Sequence, residues 1–412
     1  MKKFMCIAWA LVLCAAAAAG CSPQIKAENL MRGVTPASVS VKTLDEPFTA
    51  AAAHFSIELF KNSFSADKNS LISPTSVLLA LAMAANGAGG DTLAQMESVL
   101  GGELDIGQLN EYLHSYVKGL PSEDKSKLEI ANSIWFRDQG FTVNQDFLQA
   151  NADYYGADAF KAAFDNGTAK DINNWIKKAT DGLIDKMLDE IPAEAVMYLI
   201  NAVLFDAEWA KVYEKSAVRD GQFTDVKGAK QTVQFMHSSE ARYLESDNAT
   251  GFIKPYAGNK YSFVALLPAE NISIGAYVGA LSGESFMDTV KNAEPALVNA
   301  ATPKFRYDYE IKMNDGLAAM GIADAFDSGL ADFSGMGSAD AGNLYIDEVL
   351  HKAVIAVDEK GTKAGAVTVF SMRAESADPS EVKTVILDRP FLYAIIDNAA
   401  NLPIFMGTVL TF

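Results

Sequence analysis

Serine, histidine and aspartate all occur in this 412-residue chain, so acyl-transfer chemistry is the first possibility to weigh. Histidine is the limiting partner, with only His54, His114, His237 and His351. His54 and His114 fall on helical patterns and His237 follows a short strand, so each reads as a structural or surface residue. His351 lies inside an alternating apolar run that reads as a strand. No Gly-x-Ser-x-Gly elbow, Walker loop, His-Glu-x-x-His or paired-cysteine metal site occurs. A hydrolase would have no recognisable site here, and no cofactor or metal is expected. The spacing that stands out is instead the stretch Asp358-Glu359-Lys360-Gly361-Thr362-Lys363-Ala364-Gly365-Ala366-Val367-Thr368-Val369. Read with period two, one face carries Thr362, Ala364, Ala366 and Thr368, and the other carries Lys363, Gly365, Val367 and Val369. The first face is small and uncharged enough to slide into an apolar layer. Gly361 supplies backbone freedom just before it.

The elements around that stretch divide into an early helical half and a late strand half. Phe48, Ala52, Phe55 and Leu59 predict the first amphipathic helix. Ser73-Pro74 offers an N-cap and a first-turn proline for a second, which Asn86-Gly87 stops. A third starts at Asp91, and Leu109, Tyr112, Leu113, Tyr116 and Val117 mark a fourth. Residues 128–136 alternate as a strand, and 198–209 are almost continuously apolar, as in a strand buried on both faces. Helices are expected over 141–155 and 169–188. Strands follow at 222–243, 261–268, 297–312, 344–357, 392–397 and 404–410, with helices at 274–281, 284–292 and 315–320. This segregation indicates an α+β class.

The formal net charge of −18 gives no support to nucleic-acid binding, which needs a basic footprint. Residues 1–20 read as an export signal, with Lys2 and Lys3 before an apolar run from Phe4 to Ala19. Ala18-Ala19-Gly20-Cys21 is similar to a bacterial lipobox, which implies acylation of Cys21 and a lipid anchor in the cell envelope. The alternative is an ordinary signal cleaved nearby. Cys6, Cys14 and Cys21 are the only cysteines, so no internal disulfide is expected in the mature chain. Residues 21–46 read as a flexible tether and 47–412 as one folded domain.

The segment 359–366 (EKGTKAGA) resembles the reactive-loop hinge of serpins, and 391–398 (FLYAIIDN) resembles that family's C-terminal signature. Asn69–Ser76, Asn132–Arg137, Leu199–Trp209, Ala331–Gly335 and His351–Ile355 match further family motifs. The resemblance covers residues 47 to 412. It implies a single-domain serpin fold with three β-sheets, about eight or nine helices and an exposed loop at about 359–380. It also implies irreversible suicide-substrate inhibition of serine or cysteine endopeptidases by a monomer. By resemblance the hinge comprises Glu359, Gly361, Thr362, Ala364 and Ala366. Ser73, Ser76, Asn201 and His351 form a polar shutter beneath the central sheet. Trp209 and Lys304 stand at the breach where the loop enters, with Lys304 pairing Glu359. Counting along the loop from Glu359 places the reactive bond at Glu375-Ser376, with Met372-Arg373 and Arg373-Ala374 as competitors. Thr362 is expected near the top of the loop, exposed or barely tucked in. A non-inhibitory serpin with a binding or chaperone-like role is the alternative.

Overall fold

Twelve consecutive residues from Met197 to Glu208 build the strand on which the molecule turns. Their side chains alternate between two separate apolar layers. Leu199, Val203, Phe205 and Ala207 enter the main core, while Tyr198, Ile200 and Ala202 enter a smaller one. Burial on both faces explains why this run lacks the apolar-polar alternation of a half-exposed strand.

The computed structural model describes residues 25–120, 125–138, 140–338, 343–362 and 382–412. Met197–Glu208 lies in a seven-stranded sheet whose order is Glu28–Asn29, Asp158–Ala162, Ser126–Arg137, Met197–Glu208, Gly361–Thr362, Glu348–Val357 and Phe305–Lys312. A nine-stranded sheet packs against it, running from Val382–Ile386 through Lys230–Ser246 to Phe391–Asp397, Pro403–Val409 and Ser70–Ile72. A third sheet pairs Thr142–Val143 with Gly337–Ser338. With nine α-helices among the described residues, the architecture is the α+β, three-sheet one that the sequence resemblance implied.

Most helices fall where the periodicity places them. Pro74–Ala85 is buried at every residue, because it is apolar all round and sits behind the large sheet. Ser73 occupies its N-cap position but makes no side-chain cap bond. The helix expected over 169–188 is Asn166–Ala179, opened by a capping box between Asp165 and Thr168. It stops because Asp181 and Gly182 take left-handed φ values of 49° and 78°. Ile184, Met187 and Leu188 keep an apolar spacing because they fold back onto the same small core. The Asn173 side chain fixes that return by bonding both the amide and the carbonyl of Leu188.

Two expected strands are each divided. The 222–243 run breaks into Val218–Thr224 and Lys230–Ser246, with Asp225 Oδ1 accepting from the amides of Lys227 and Ala229 in the turn. The 297–312 run passes between sheets at Lys304, so Glu294–Pro303 joins the second sheet and Phe305–Lys312 the large one.

The expected tether is also different from residue 25 onwards. Glu28–Asn29 pairs with Phe160 and Lys161 as an edge strand. Asp171 Oδ2 accepts from the amides of Lys26 and Ala27, both at 2.8 Å. Further along, Lys42 Nζ lies 3.9 Å from the centre of the Tyr112 ring. Backbone pairing and a buried carboxylate thus hold a segment whose composition suggested none.

Candidate functional site

Between Met197–Glu208 and Glu348–Val357 the large sheet is closed at one end and parted at the other. Residues 198–201 pair directly and in parallel with 348–351, ending at Asn201 opposite His351. Beyond that rung no register joins 202–206 to 352–356 among the described residues. At the far end Gly361–Thr362 fills the space, pairing with Ala207 and Glu208 on one side and Val357 on the other.

The polar cluster predicted beneath the sheet is present at the last closed rung. His351 Nε2 accepts from the Ser73 amide at 3.1 Å, so the ring proton sits on Nδ1, which donates to Asn201 Oδ1 at 3.2 Å. Asn201 Nδ2 donates to the Ser76 carbonyl at 2.7 Å, to the Ser76 hydroxyl and to Asn132 Oδ1 at 2.5 Å. Asn132 belongs to this cluster although the sequence reading left it in a strand motif. The Ser73 hydroxyl finds no partner, so Ser73 takes part through its backbone. Burial pushes the His351 pKa down to about 4, which keeps the imidazole neutral and able to accept from Ser73.

At the open end the chain reverses over four residues. Asp358 Oδ1 accepts from the amides of Lys360 and Gly361, and the Asp358 amide donates to the Gly361 carbonyl at 3.0 Å. Gly361 is needed for close approach, since a Cβ there would stand 2.0 Å from the Ala207 carbonyl oxygen. It has no positive φ, so the conformational freedom expected of it is not what the site uses.

Thr362 departs most from expectation. It is 2 % exposed, already strand-paired on both sides, and its Oγ1 lies 2.5 Å from the hydroxyl of fully buried Tyr256. The neighbouring rings leave a slot that a short β-branched hydroxyl fills. Tyr256 stacks on Trp209 with centroids 4.5 Å apart. Trp209 stands where predicted and binds the hinge twice: its indole N–H donates to the Asp358 carbonyl and its amide to the Lys360 carbonyl, both at 2.8 Å. The Tyr213 amide adds a bond to the Glu359 carbonyl at 2.9 Å. Lys304 Nζ meets Glu359 Oε2 at 2.6 Å, and this hydrogen bond holds the Glu359 carboxyl below its usual range.

Behind the aromatic rings lies an ion pair that the sequence reading missed. Lys254 Nζ is 2.9 Å from Glu240 Oε1, with both side chains at least nine-tenths buried. The ammonium lies 4.2 Å from the Tyr213 ring centre and 5.4 Å from that of Trp209. Burial works to lower the Lys254 pKa, but the Tyr213 and Glu240 neighbours raise it overall. The strand Ala249–Pro255 that carries Lys254 was not expected, and nothing in the sequence sets Lys254 beside Glu240. Tyr256 likewise gave no signal.

The remaining expected site residues, Ala364, Ala366, Glu375, Ser376 and Cys21, lie outside the described residues, as do Met372 and Arg373.

A sheet with a closed base, a parted middle and a two-residue wedge at its top is the geometry of the serpin class. The family model for serpin (serine protease inhibitor) matches residues 50–412, and the chain belongs to that family. It is 32% identical over 390 residues to the leukocyte elastase inhibitor of Xenopus tropicalis, covering 88% of this chain and 98% of that one. Iripin-8 of Ixodes ricinus is 30% identical over 374 residues, covering 86% and 91%. Among solved structures, the thermophilic serpin tengpin in its native state is 58% identical with a TM-score of 0.91, covering 94% of this chain and 100% of that one. Its latent state gives 56% and 0.81, covering 90% and 100%.

Proposed function

We propose that this serpin inhibits serine or cysteine endopeptidases irreversibly, as a suicide substrate. The protease nucleophile attacks the carbonyl carbon of Glu375, the Glu375-Ser376 bond breaks, Ser376 leaves as the new amine, and an acyl-enzyme remains on Glu375. The freed loop then enters the parted sheet behind Thr362. From residue 363 to 375 an extended chain spans about 40 Å, enough to carry the attached protease far down the sheet before water completes hydrolysis.

The observation that carries this reading is the unpaired interval between 202–206 and 352–356, headed by a hinge already inserted as far as Thr362. Trp209, Lys304 and Glu359 act as the latch at the top, and Ser73, Ser76, Asn201 and His351 as the shutter whose bonds must yield as the strand passes. At the other terminus, Cys21 is acylated and anchors the exported chain to the cell envelope. The lipobox-like sequence supports this part, and no described helix is long and apolar enough to cross a membrane.

Incubation with a panel of serine and cysteine proteases tests the inhibitory reading. An SDS-resistant complex carrying the loop's N-terminal portion is the expected product. Clean loop cleavage with every protease left active would replace inhibition by a binding role. Spontaneous substrate hydrolysis would indicate an enzyme.

A further inference from the structure

A cleft of about 1100 Å³ opens between the Ile25–Arg32 segment, the Asp158–Ala162 strand and the end of the Asn166–Ala179 helix, away from the hinge. Its volume lies slightly above the roughly 300–1,000 Å³ of small-molecule sites. The lining separates into two chemical halves. Leu148, Phe160 and Trp175 form a buried apolar floor, overhung by the half-buried side chains of Ile25 and Leu30. Lys26, Arg32 and Lys178 stand exposed around the rim.

The charges on that rim are unbalanced. Glu28 is committed to Lys161 at 3.3 Å, and Asp158 Oδ2 accepts from the Trp175 indole N–H at 2.8 Å. Neither carboxylate pairs with the three cations, and no other described carboxylate does so. The overhanging wall is held in place, since Asp171 grips two of its amides and Glu28–Asn29 is strand-paired to Phe160 and Lys161. A positioned apolar trough under three cations that no described carboxylate pairs suits a ligand with one apolar chain and one anionic head.

We propose that this cleft binds a free single-chain anionic amphiphile, a long-chain carboxylate. Its chain lies on Trp175, Phe160 and Leu148, and its head sits among Lys26, Arg32 and Lys178. The proposal is independent of protease inhibition. Because the wall is the N-terminal segment, an occupied cleft ties that segment to the body and raises the thermal midpoint as the carboxylate concentration rises.

Isothermal titration of the full mature chain with saturated carboxylates of eight to sixteen carbons, each below its micellar concentration, tests this. Saturable 1:1 binding is expected, strengthening about fourfold per added methylene until the floor is covered. The alcohol of equal length should bind at least tenfold more weakly. The double variant Arg32→Gln, Lys178→Gln should lose at least tenfold in carboxylate affinity while its ligand-free thermal midpoint shifts only slightly, because both residues are exposed and no carboxylate is placed in the last turn of the helix. Three results would each overturn the proposal: no saturable binding of any chain length, equal affinity for acid and alcohol, or undiminished binding by the charge-neutralised variant. Phosphatidylglycerol vesicles form the last arm. With a Cys21→Ser chain, which carries no acyl anchor, vesicle binding that the charge-neutralised variant loses and that free carboxylate fails to displace would assign the cleft to bilayer lipid and reject a free amphiphile.

Discussion

His351 Nδ1 donates to Asn201 Oδ1 at 3.2 Å across the last rung at which the two central strands are directly paired. One hydrogen bond between side chains therefore marks the boundary between the closed and parted portions of the sheet. A strand entering from the top would meet it after passing the unpaired interval.

Burial of the His351 imidazole makes stability depend on pH. The His351 pKa is about 4 in the folded protein against 6.5 ordinarily, so between these values the unfolded chain binds more protons. The contribution is complete above pH 6.5 and is lost as pH falls towards 4, by about 3 kcal/mol in full. Urea unfolding from pH 7.5 to 4 should show this decline, and His351→Gln should flatten it. Parallel declines in both proteins would place the pH sensitivity elsewhere.

Thr362→Arg is expected to be costly in the intact protein, contrary to what an exposed Thr362 would allow. The site is enclosed by Trp209, Tyr256 and two strands, and an unpaired charge there costs several kcal/mol. The hinge should be expelled, seen as faster hydrogen exchange at the 360–362 amides. Thr362→Val keeps the shape but leaves the Tyr256 hydroxyl unpaired, a loss of about 1–3 kcal/mol.

Gly361→Ala should also expel the hinge, by sterics alone. The added methyl meets a backbone carbonyl that a rotamer change cannot move. Overpacking of this kind costs typically 1–3 kcal/mol, and exchange at the same amides reports it. Unaltered protection would mean that the two strands separate more readily than their pairing implies.

Lys254→Met should destabilise the fold by about 3–5 kcal/mol because it leaves Glu240 buried without its cation. Adding Glu240→Leu should recover most of that loss, as replacing both partners removes the unpaired charge. Denaturant midpoints of the two single variants and the double variant measure the coupling. An additive double variant would show that the ion pair is not what holds this region.

Nicking the loop should raise thermal stability steeply. The strand that then enters gains partners on both sides, each new backbone bond contributing about 1 kcal/mol net. Calorimetry before and after limited proteolysis makes the comparison. Mass spectrometry of the fragment released by a trapped protease should place its N-terminus at Ser376 or within two residues. Fragments starting only at or before Arg373 would move the reactive bond upstream.

Many element classes and several partners are legible in the sequence, while the strands Glu28–Asn29, Asp158–Ala162 and Ala249–Pro255 are not. The almost continuously apolar run 198–209 is what a strand buried on both faces requires, and Met197–Glu208 is such a strand. Motif resemblance paired Lys304 with Glu359 and gathered Ser73, Ser76, Asn201 and His351, all of which meet in the structure. What periodicity does not carry is the partner of each strand. Alternation assigns a side chain to a face, but a run such as 297–312 looks the same whether it stays in one sheet or crosses to another. The same limit hid the depth of the hinge, because how far Gly361 and Thr362 enter depends on how widely two distant strands are parted. Tyr256, Lys254 and Glu240 acquire their roles only where separate strands bring them against Thr362 and Trp209. The segment 21–46 reads as a tether because its composition is polar and aperiodic. Its residues 26–29 are held by backbone amides that donate to Asp171 and by strand pairing with Asp158–Ala162, bonds that leave no mark on the side-chain pattern.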